Sequence, residues 1–215
     1  MTTGEGGVLI PAGDEMAEEL RSERNQGRSP DMSEVDHVRI GFNYRMTDLQ
    51  AAIGIAQVER LDGTLASRAE VAGAYTEQLT AMGAARAGEG DPDGLVLPCA
   101  DRGDEQRSWF VYPVQVPAGV EKSAVIEALA AEGIQSKAYL PCIHTMPPYR
   151  ARFGFKGGEF PVAEAVAARS IALPFFSAMT ESQVERAATA SATGNSPPLK
   201  PKRSRYGGIV WMHGR

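Results

Sequence analysis

The sequence has few of the features by which metal centres and disulfide frameworks are recognised. Its 215 residues include two cysteines, Cys99 and Cys142, and neither lies in a CxxC spacing, which favours reduced, structural thiols in a cytosolic protein. The three histidines are far apart, at His37, His144 and His213. No HExxH motif and no acidic cluster has metal-ligand spacing, so the sequence predicts no metal site.

Long apolar runs and an amino-terminal leader pattern are also missing. The apolar run at residues 171–176 is far shorter than the roughly 18 residues that a membrane-spanning helix needs. Residues 1–10 have neither the basic region nor the continuous apolar region of a secretory signal. We therefore predict a cytoplasmic protein that has no membrane partner.

Common catalytic signatures are absent as well. No GxSxG sequence is present, so nothing indicates the nucleophile turn of an α/β-hydrolase. The glycine-rich segment at residues 2–7, TTGEGG, lacks the lysine of a P-loop and the order of a GxGxxG motif. It is predicted to be a turn that enters a short buried strand at residues 8–10.

The charge is unevenly distributed. Net charge is −5, but five of the 22 basic residues lie in residues 191–215, which contain no acid. The other 190 residues therefore carry 17 basic and 27 acidic side chains. Such an acidic body argues against nucleic acid as a partner, because binding to phosphate backbones depends on Lys and Arg. The basic tail has no apolar period and is predicted to be irregular.

Helical patterns are present on both sides of Gly63. Thr47 and Gln50 form a predicted capping box at the start of a helix. A second periodic run covers residues 65–82, with a break expected at Gly63. Both stretches are apolar enough to require packing partners.

A strand, helix, strand order follows over residues 108–140. Apolar residues alternate along residues 108–116, although Pro113 predicts an edge or bulge position for that strand. Ser123 is the expected cap of a helix that ends at Gly133, and residues 134–140 resume as a strand. This order predicts a small α+β unit.

Three further signals complete that unit. Pro161 suits the first turn of a helix, and residues 171–176 are typical of a short apolar strand. Thr180 and Gln183 form another predicted capping box.

The segment GFNYRMTD, residues 41–48, is the strongest candidate for a ligand site. It places an amide and a guanidinium, those of Asn43 and Arg45, just before a capped helix, where they can meet an anion. The structural alternative is that Tyr44 packs, Arg45 pairs with an acid and Asn43 makes a turn. The residues by themselves leave both interpretations open.

In order and spacing, several segments together resemble the DegT/DnrJ/EryC1/StrS family of sugar aminotransferases, which depend on pyridoxal phosphate (PLP). They are TTGEGG, HVRIGFNYRMTDLQAAIGIAQVERLD, SWFVYPVQV, YLPCIHTMPPY and FPVAEAVAARSIALPFF. The resemblance runs from residue 2 to about residue 190. It implies a truncated α/β chain of the type I PLP-dependent transferase fold, with the large PLP-binding domain mostly missing. The implied domains are a remnant of that large domain at 1–60, an essentially complete α+β small domain at 61–190, and the irregular tail at 191–215.

The resemblance also implies roles for four residues. In the family dimer, the asparagine of the NYR motif reaches the PLP phosphate in the opposite subunit, which corresponds to Asn43 here, and Arg45 is expected near the same shared site. His144 is expected to approach the nucleotide-sugar substrate. Leu140 stands where many members have tyrosine, so Tyr139 is the candidate to replace that tyrosine in part.

No catalytic residue is assigned, because the lysine that forms the Schiff base in this family precedes the segment matching TTGEGG and so falls outside the chain. The implied function is that of the carboxy-terminal part of an aminotransferase for nucleotide-linked keto sugars, inactive alone. Two alternatives remain open. One is a non-catalytic dimerisation fragment, or one that completes a partner's site; the other is a PLP-dependent sugar dehydratase of the same family.

Overall fold

A computed structural model describes residues 1–29, 36–89 and 94–193 of the chain. The chain divides into two compact units, residues 1–63 and residues 64–215. Most of the predicted basic tail lies outside the described residues. Its first three positions, 191–193, belong to the last helix of the second unit.

The described residues contain seven α-helices, one 3₁₀ turn and five strands. The helices are α1 (Asp14–Glu23), α2 (Asp48–Glu59), α3 (Leu61–Ala81), α4 (Lys122–Ala131), α5 (Pro147–Phe153), α6 (Pro161–Arg169) and α7 (Glu181–Thr193). The strands are β1 (Ala85–Arg86), β2 (Val96–Leu97), β3 (Tyr112–Gln115), β4 (Lys137–Ala138) and β5 (Ser170–Leu173), and the 3₁₀ turn is Ile143–Thr145. Within these ranges, no helix is both long enough and apolar enough to cross a bilayer.

The five strands form one sheet in the second unit. Their order is β1-β2-β3-β5-β4, with β1 parallel to β2 and every other pair antiparallel. Alternate residues of β3 are buried, as expected for a strand that turns one face to a core. The mixed arrangement of helices and one sheet agrees with the predicted truncated α/β fold.

Aromatic rings from α3 and β3 form the centre of the core. Tyr75 and Tyr112 are fully buried and their rings stack, with 4.9 Å between the centroids. Each hydroxyl is paired, as buried polar groups require: Tyr75 donates to the carbonyl of Pro174 at 2.8 Å, and the hydroxyls of Tyr112 and Thr76 lie 2.8 Å apart. The same cluster includes buried side chains from the sheet, α4 and α7, among them Ile171, Leu129 and Val184.

Pro113 does not lie at a sheet edge as predicted, because β3 has neighbours on both sides. The N–H of Val116 donates to the carbonyl of Arg169, and hydrogen-bonded positions alternate along an antiparallel pair. Pro113 lies three residues earlier, at a position whose backbone nitrogen does not donate a hydrogen bond to β5. On the other side, the two residues of β2 pair with β3 only at Gln115, so the missing donor of Pro113 is tolerated inside the sheet.

Several predicted helix ends are confirmed and others are wrong. Thr47 and Gln50 form the full capping box, and Gly133 has a positive φ of 73° just after the end of α4. Gly63 is not a break, since it lies inside α3. The boundary between α2 and α3 is at Arg60. Ser123 is not a cap: α4 begins one residue earlier, at Lys122.

The two predicted helical faces have different environments. Four large apolar side chains of α2 are exposed: Leu49, Ile53, Ile55 and Val58. On α3, in contrast, Val71, Tyr75 and Leu79 are buried in the core of the second unit. The predicted buried strand at residues 8–10 is wrong, because these residues form no strand and all three side chains are more than two-thirds exposed.

Candidate active site

The GFNYR segment in the first unit is held against the end of α1 by backbone hydrogen bonds. The N–H of Phe42 donates to the carbonyl of Glu23 at 2.6 Å, and the N–H of Tyr44 donates to that of Arg24 at 2.9 Å. In return, the carbonyl of Phe42 accepts from the N–H of Gln26 at 2.9 Å. These bonds on both sides of Asn43 fix its backbone relative to α1.

Two glycines make this close approach possible. A Cβ on Gly41 would lie 2.1 Å from the backbone nitrogen of Gly27, a separation that real side chains do not reach. Gly27 has a φ of +76°, and a Cβ there would lie 1.9 Å from the carbonyl oxygen of Arg39. The first glycine of the motif is therefore required by backbone contact.

The side chains of Asn43 and Arg45 are both exposed. Nη1 of Arg45 donates to Oδ1 of Asn25 at 2.8 Å, and no carboxylate among the described residues pairs with this guanidinium. The amide of Asn43 makes no hydrogen bond within the described part of the chain. Tyr44 stacks on Phe42 at 5.0 Å and stays exposed, outside any core.

The start of α2 is less suited to an anion than its position suggests. The Thr47 hydroxyl and the Gln50 side chain satisfy two backbone donors there, and Asp48 adds a negative charge to the first turn. Donors for a phosphate in this segment are therefore the side chains of Asn43 and Arg45. A neutral amide and a guanidinium that has no acidic partner are both suited to donate hydrogen bonds to a phosphate group.

His144 in the second unit is oriented by a carboxylate. It lies in the 3₁₀ turn, and its Nε2 is 2.9 Å from Oε1 of Glu164. Its side chain is 12% exposed. The rings of Phe160 and Phe155 lie 4.7 Å and 6.1 Å from the imidazole. The histidine is therefore held in one place by a hydrogen bond and by aromatic contacts.

Glu164 binds more than the histidine. It lies in the first turn of α6, which starts at Pro161, and both of its oxygens accept from the N–H of Gly158 at 2.9 Å. The N–H of Phe160 contributes a longer bond of 3.4 Å. The hydrogen bond from His144, followed by the bond from Gly158, lowers the pKa of the Glu164 carboxyl. The ionised carboxylate thus joins α6, the 154–160 loop and the imidazole.

Tyr139 does not join this group. Its N–H donates to the carbonyl of Ser170 at 3.0 Å beside β4, and its side chain is half-buried. No hydrogen bond or ring contact links it to His144 in the described residues. Leu140 is exposed.

Glu164 is not among the site residues that the sequence predicts. The signal for it was available, because an acid in the first turn of a helix that begins with proline stabilises the positive end of the helix. The hydrogen bond between Glu164 and His144 joins residues 20 positions apart, and such a pairing has no local sequence signature. Across the part of the chain that the structure describes, no group of His, Cys, Asp and Glu side chains is arranged to hold a metal ion.

Comparison with known proteins supports the resemblance. The sequence model of the DegT/DnrJ/EryC1/StrS aminotransferase family matches residues 1–191. A GDP-perosamine synthase from Caulobacter vibrioides is 34% identical over 188 residues, which cover 86% of this chain and 47% of that protein. The spore coat polysaccharide biosynthesis protein SpsC from Bacillus subtilis is 30% identical over 200 residues, which cover 86% of this chain and 48% of SpsC.

The fold has solved counterparts. The crystal structure of DesV from S. venezuelae superposes with a TM-score of 0.72 at 25% identity, covering 88% of this chain and 47% of DesV. The chain thus spans about half the length of the relatives it matches. The predicted family and the predicted fold are confirmed, and PLP is the cofactor of that family, as expected.

Proposed function

Because this chain belongs to the DegT/DnrJ/EryC1/StrS aminotransferase family, we propose that it contributes the carboxy-terminal part of a PLP-dependent aminotransferase for nucleotide-linked keto sugars. Asn43 and Arg45 bind the phosphate of PLP held by a partner subunit, so that the active site is shared. His144 and Tyr139 contact the nucleotide sugar. The lysine of the reaction is supplied from outside these 215 residues.

The observation that carries this proposal is the state of the NYR segment. Its backbone is fixed against α1, while the Asn43 amide has no partner and Arg45 has no acidic partner among the described residues. Exposed donors on a fixed backbone, with no acid of the described chain paired to them, are available to an anionic ligand. When PLP is bound, it supplies stabilisation of negative charge on the substrate carbon whose amino group is exchanged.

His144 supports the substrate half of the proposal. Its ring is 12% exposed and is oriented by Glu164 beside two phenylalanine rings, so it presents a defined polar edge at the surface of the second unit. Nδ1 has no hydrogen-bond partner among the described residues and remains free for a ligand. Relatives that match most of this chain include an enzyme named for a nucleotide sugar, GDP-perosamine synthase.

The first experiment tests the 215-residue chain by itself. We expect that purified protein mixed with PLP and glutamate shows neither the visible absorbance of lysine-bound PLP nor amino transfer. The lysine that would bind PLP is supplied from outside this chain, and as a positioned base it is also worth about 10²- to 10⁴-fold in rate. An absorbance band that disappears when glutamate is added would contradict the expected inactivity.

The second experiment supplies the missing half. The chain is co-expressed with the amino-terminal half of the Caulobacter vibrioides synthase, and PLP retention and GDP-perosamine formation are measured. Asn43→Asp places a carboxylate against the phosphate and should lower PLP retention at least tenfold. Gln57→Glu makes the same change on α2 and should leave retention unchanged. Equal effects of both variants would overturn the phosphate contact. A product that lacks the amine would favour the dehydratase alternative.

A further inference from the structure

Glu164 receives more hydrogen bonds than a helix-end acid needs. Its oxygens accept from the backbone of Gly158 and Phe160 and from Nε2 of His144. An ionised carboxylate can only accept, so the imidazole nitrogen that faces it has to carry a proton. In the neutral ring, Nδ1 is then the unprotonated nitrogen, which can only accept.

We propose that Glu164 is a positioning residue for His144, which holds the imidazole proton on Nε2 and keeps Nδ1 as an acceptor for a hydroxyl or amide donor of the sugar nucleotide. The ligand in this statement rests on the proposed function. The assignment of the proton to Nε2 does not, because it follows from the contacts of the free chain.

Two observations support a positioning role over simple packing. First, the carboxylate is fixed by backbone donors on the 154–160 loop, so it cannot follow the ring if the ring rotates. Second, the Phe160 ring lies 4.7 Å from the imidazole and restricts its rotation. The lowered pKa of Glu164 agrees with an ionised acceptor near neutral pH. Together these contacts select one tautomer, whereas a free imidazole exchanges between two.

The test is long-range ¹H–¹⁵N NMR on the 215-residue chain without ligand, at a pH where His144 is neutral. The His144 signals are assigned by their loss in His144→Asn. We expect a single tautomer, protonated on Nε2, in the unmodified protein. Glu164→Ala should give both tautomers in exchange. Glu164→Gln retains a neutral acceptor, so it should restore the single tautomer and move the Nε2 proton upfield, because hydrogen bonds to neutral acceptors are weaker.

Glu159→Gln is the matched control, since Glu159 is an exposed acid of the same loop with no described partner. It should leave every His144 signal unchanged. A proton on Nδ1 in the unmodified chain, or one and the same tautomer in Glu164→Ala, would overturn the proposal. If Glu164→Ala does not fold, an unshifted Nε2 proton in Glu164→Gln overturns it instead.

Added GDP-perosamine separates this inference from the proposed function. A shift of the Nδ1 resonance supports the substrate role of His144. If the Nδ1 resonance does not shift, that result counts against the substrate role. The position of the imidazole proton is still decided by the variants measured without ligand.

Discussion

Nε2 of His144 and Oε1 of Glu164 lie 2.9 Å apart, and this contact ties the 3₁₀ turn to the first turn of α6. Because the carboxylate also binds the backbone of Gly158, the pair organises a loop as well as a ring. The charge state of Glu164 therefore affects both the stability of the fold and the geometry around His144.

Acid should weaken this arrangement. The folded-state pKa of Glu164 is lowered by His144 and Gly158, so its contribution to stability is present above the unfolded pKa of about 4.3 and is lost as pH falls through the lower folded value. We expect the difference in melting temperature between the unmodified protein and Glu164→Gln to shrink as pH falls from about 5 to about 3. Thermal unfolding followed by circular dichroism measures it. A difference that is independent of pH would contradict this prediction.

Gly41→Ala should disturb the NYR segment. The new Cβ would lie 2.1 Å from backbone nitrogen, so the chain has to shift, at a cost of about 1–3 kcal/mol. Hydrogen exchange at the amides of Phe42 and Tyr44 should accelerate. Gly7→Ala is the control, because no atom lies within 4 Å of a Cβ there. Exchange that is unchanged in Gly41→Ala would mean that backbone contact does not hold the segment.

Gly73→Ala should stabilise the second unit. Gly73 lies inside α3, is exposed, and has open space where the Cβ would be. Alanine is more favourable than glycine in a helix by about 1 kcal/mol, since it loses less backbone entropy on folding. Urea unfolding gives the free energy of unfolding directly. A decrease in that free energy would show that a neighbour comes closer to this face than the structure indicates.

Alkali should destabilise the protein through its tyrosine core. Burial, and secondarily Tyr112, raises the pKa of Tyr75, and burial likewise raises that of Tyr112. The stability held by these neutral hydroxyls is present below the unfolded pKa of about 10 and is lost as pH rises above it.

Tyr75→Phe tests the alkaline effect. At neutral pH it should cost about 1 kcal/mol, because the Pro174 carbonyl loses its donor. Above about pH 10 it should lose less additional stability than the unmodified protein, since one buried titrating group is gone. Urea unfolding at both pH values makes the comparison. Parallel losses in the two proteins would exclude Tyr75 as the source.

Local sequence signals predicted the elements whose causes are local. The Thr47 and Thr180 capping boxes form because each needs only a hydroxyl and a side-chain amide three residues apart. Pro161 starts α6 for a similar reason, since its fixed φ suits a first turn. The order and spacing of the segments from TTGEGG to FPVAEAVAARSIALPFF likewise indicated the family.

Errors arose where distant partners decide the outcome. The missing N–H of Pro113 predicts an edge or a bulge, whereas the length of β2 determines whether that N–H is needed. The pairing of His144 with Glu164 depends on how the 3₁₀ turn and α6 meet. Neither fact can be read from a window of neighbouring residues.

The anchoring of the 154–160 loop has a consequence for its evolution and redesign. Glu164 holds the loop through main-chain N–H groups of Gly158 and Phe160, which do not depend on the side chains of the other loop residues. Lys156 and Glu159 are exposed and take no part in the anchor. Their side chains can therefore vary between relatives, or be randomised in a library, to change what the loop presents beside His144 without loosening the histidine itself.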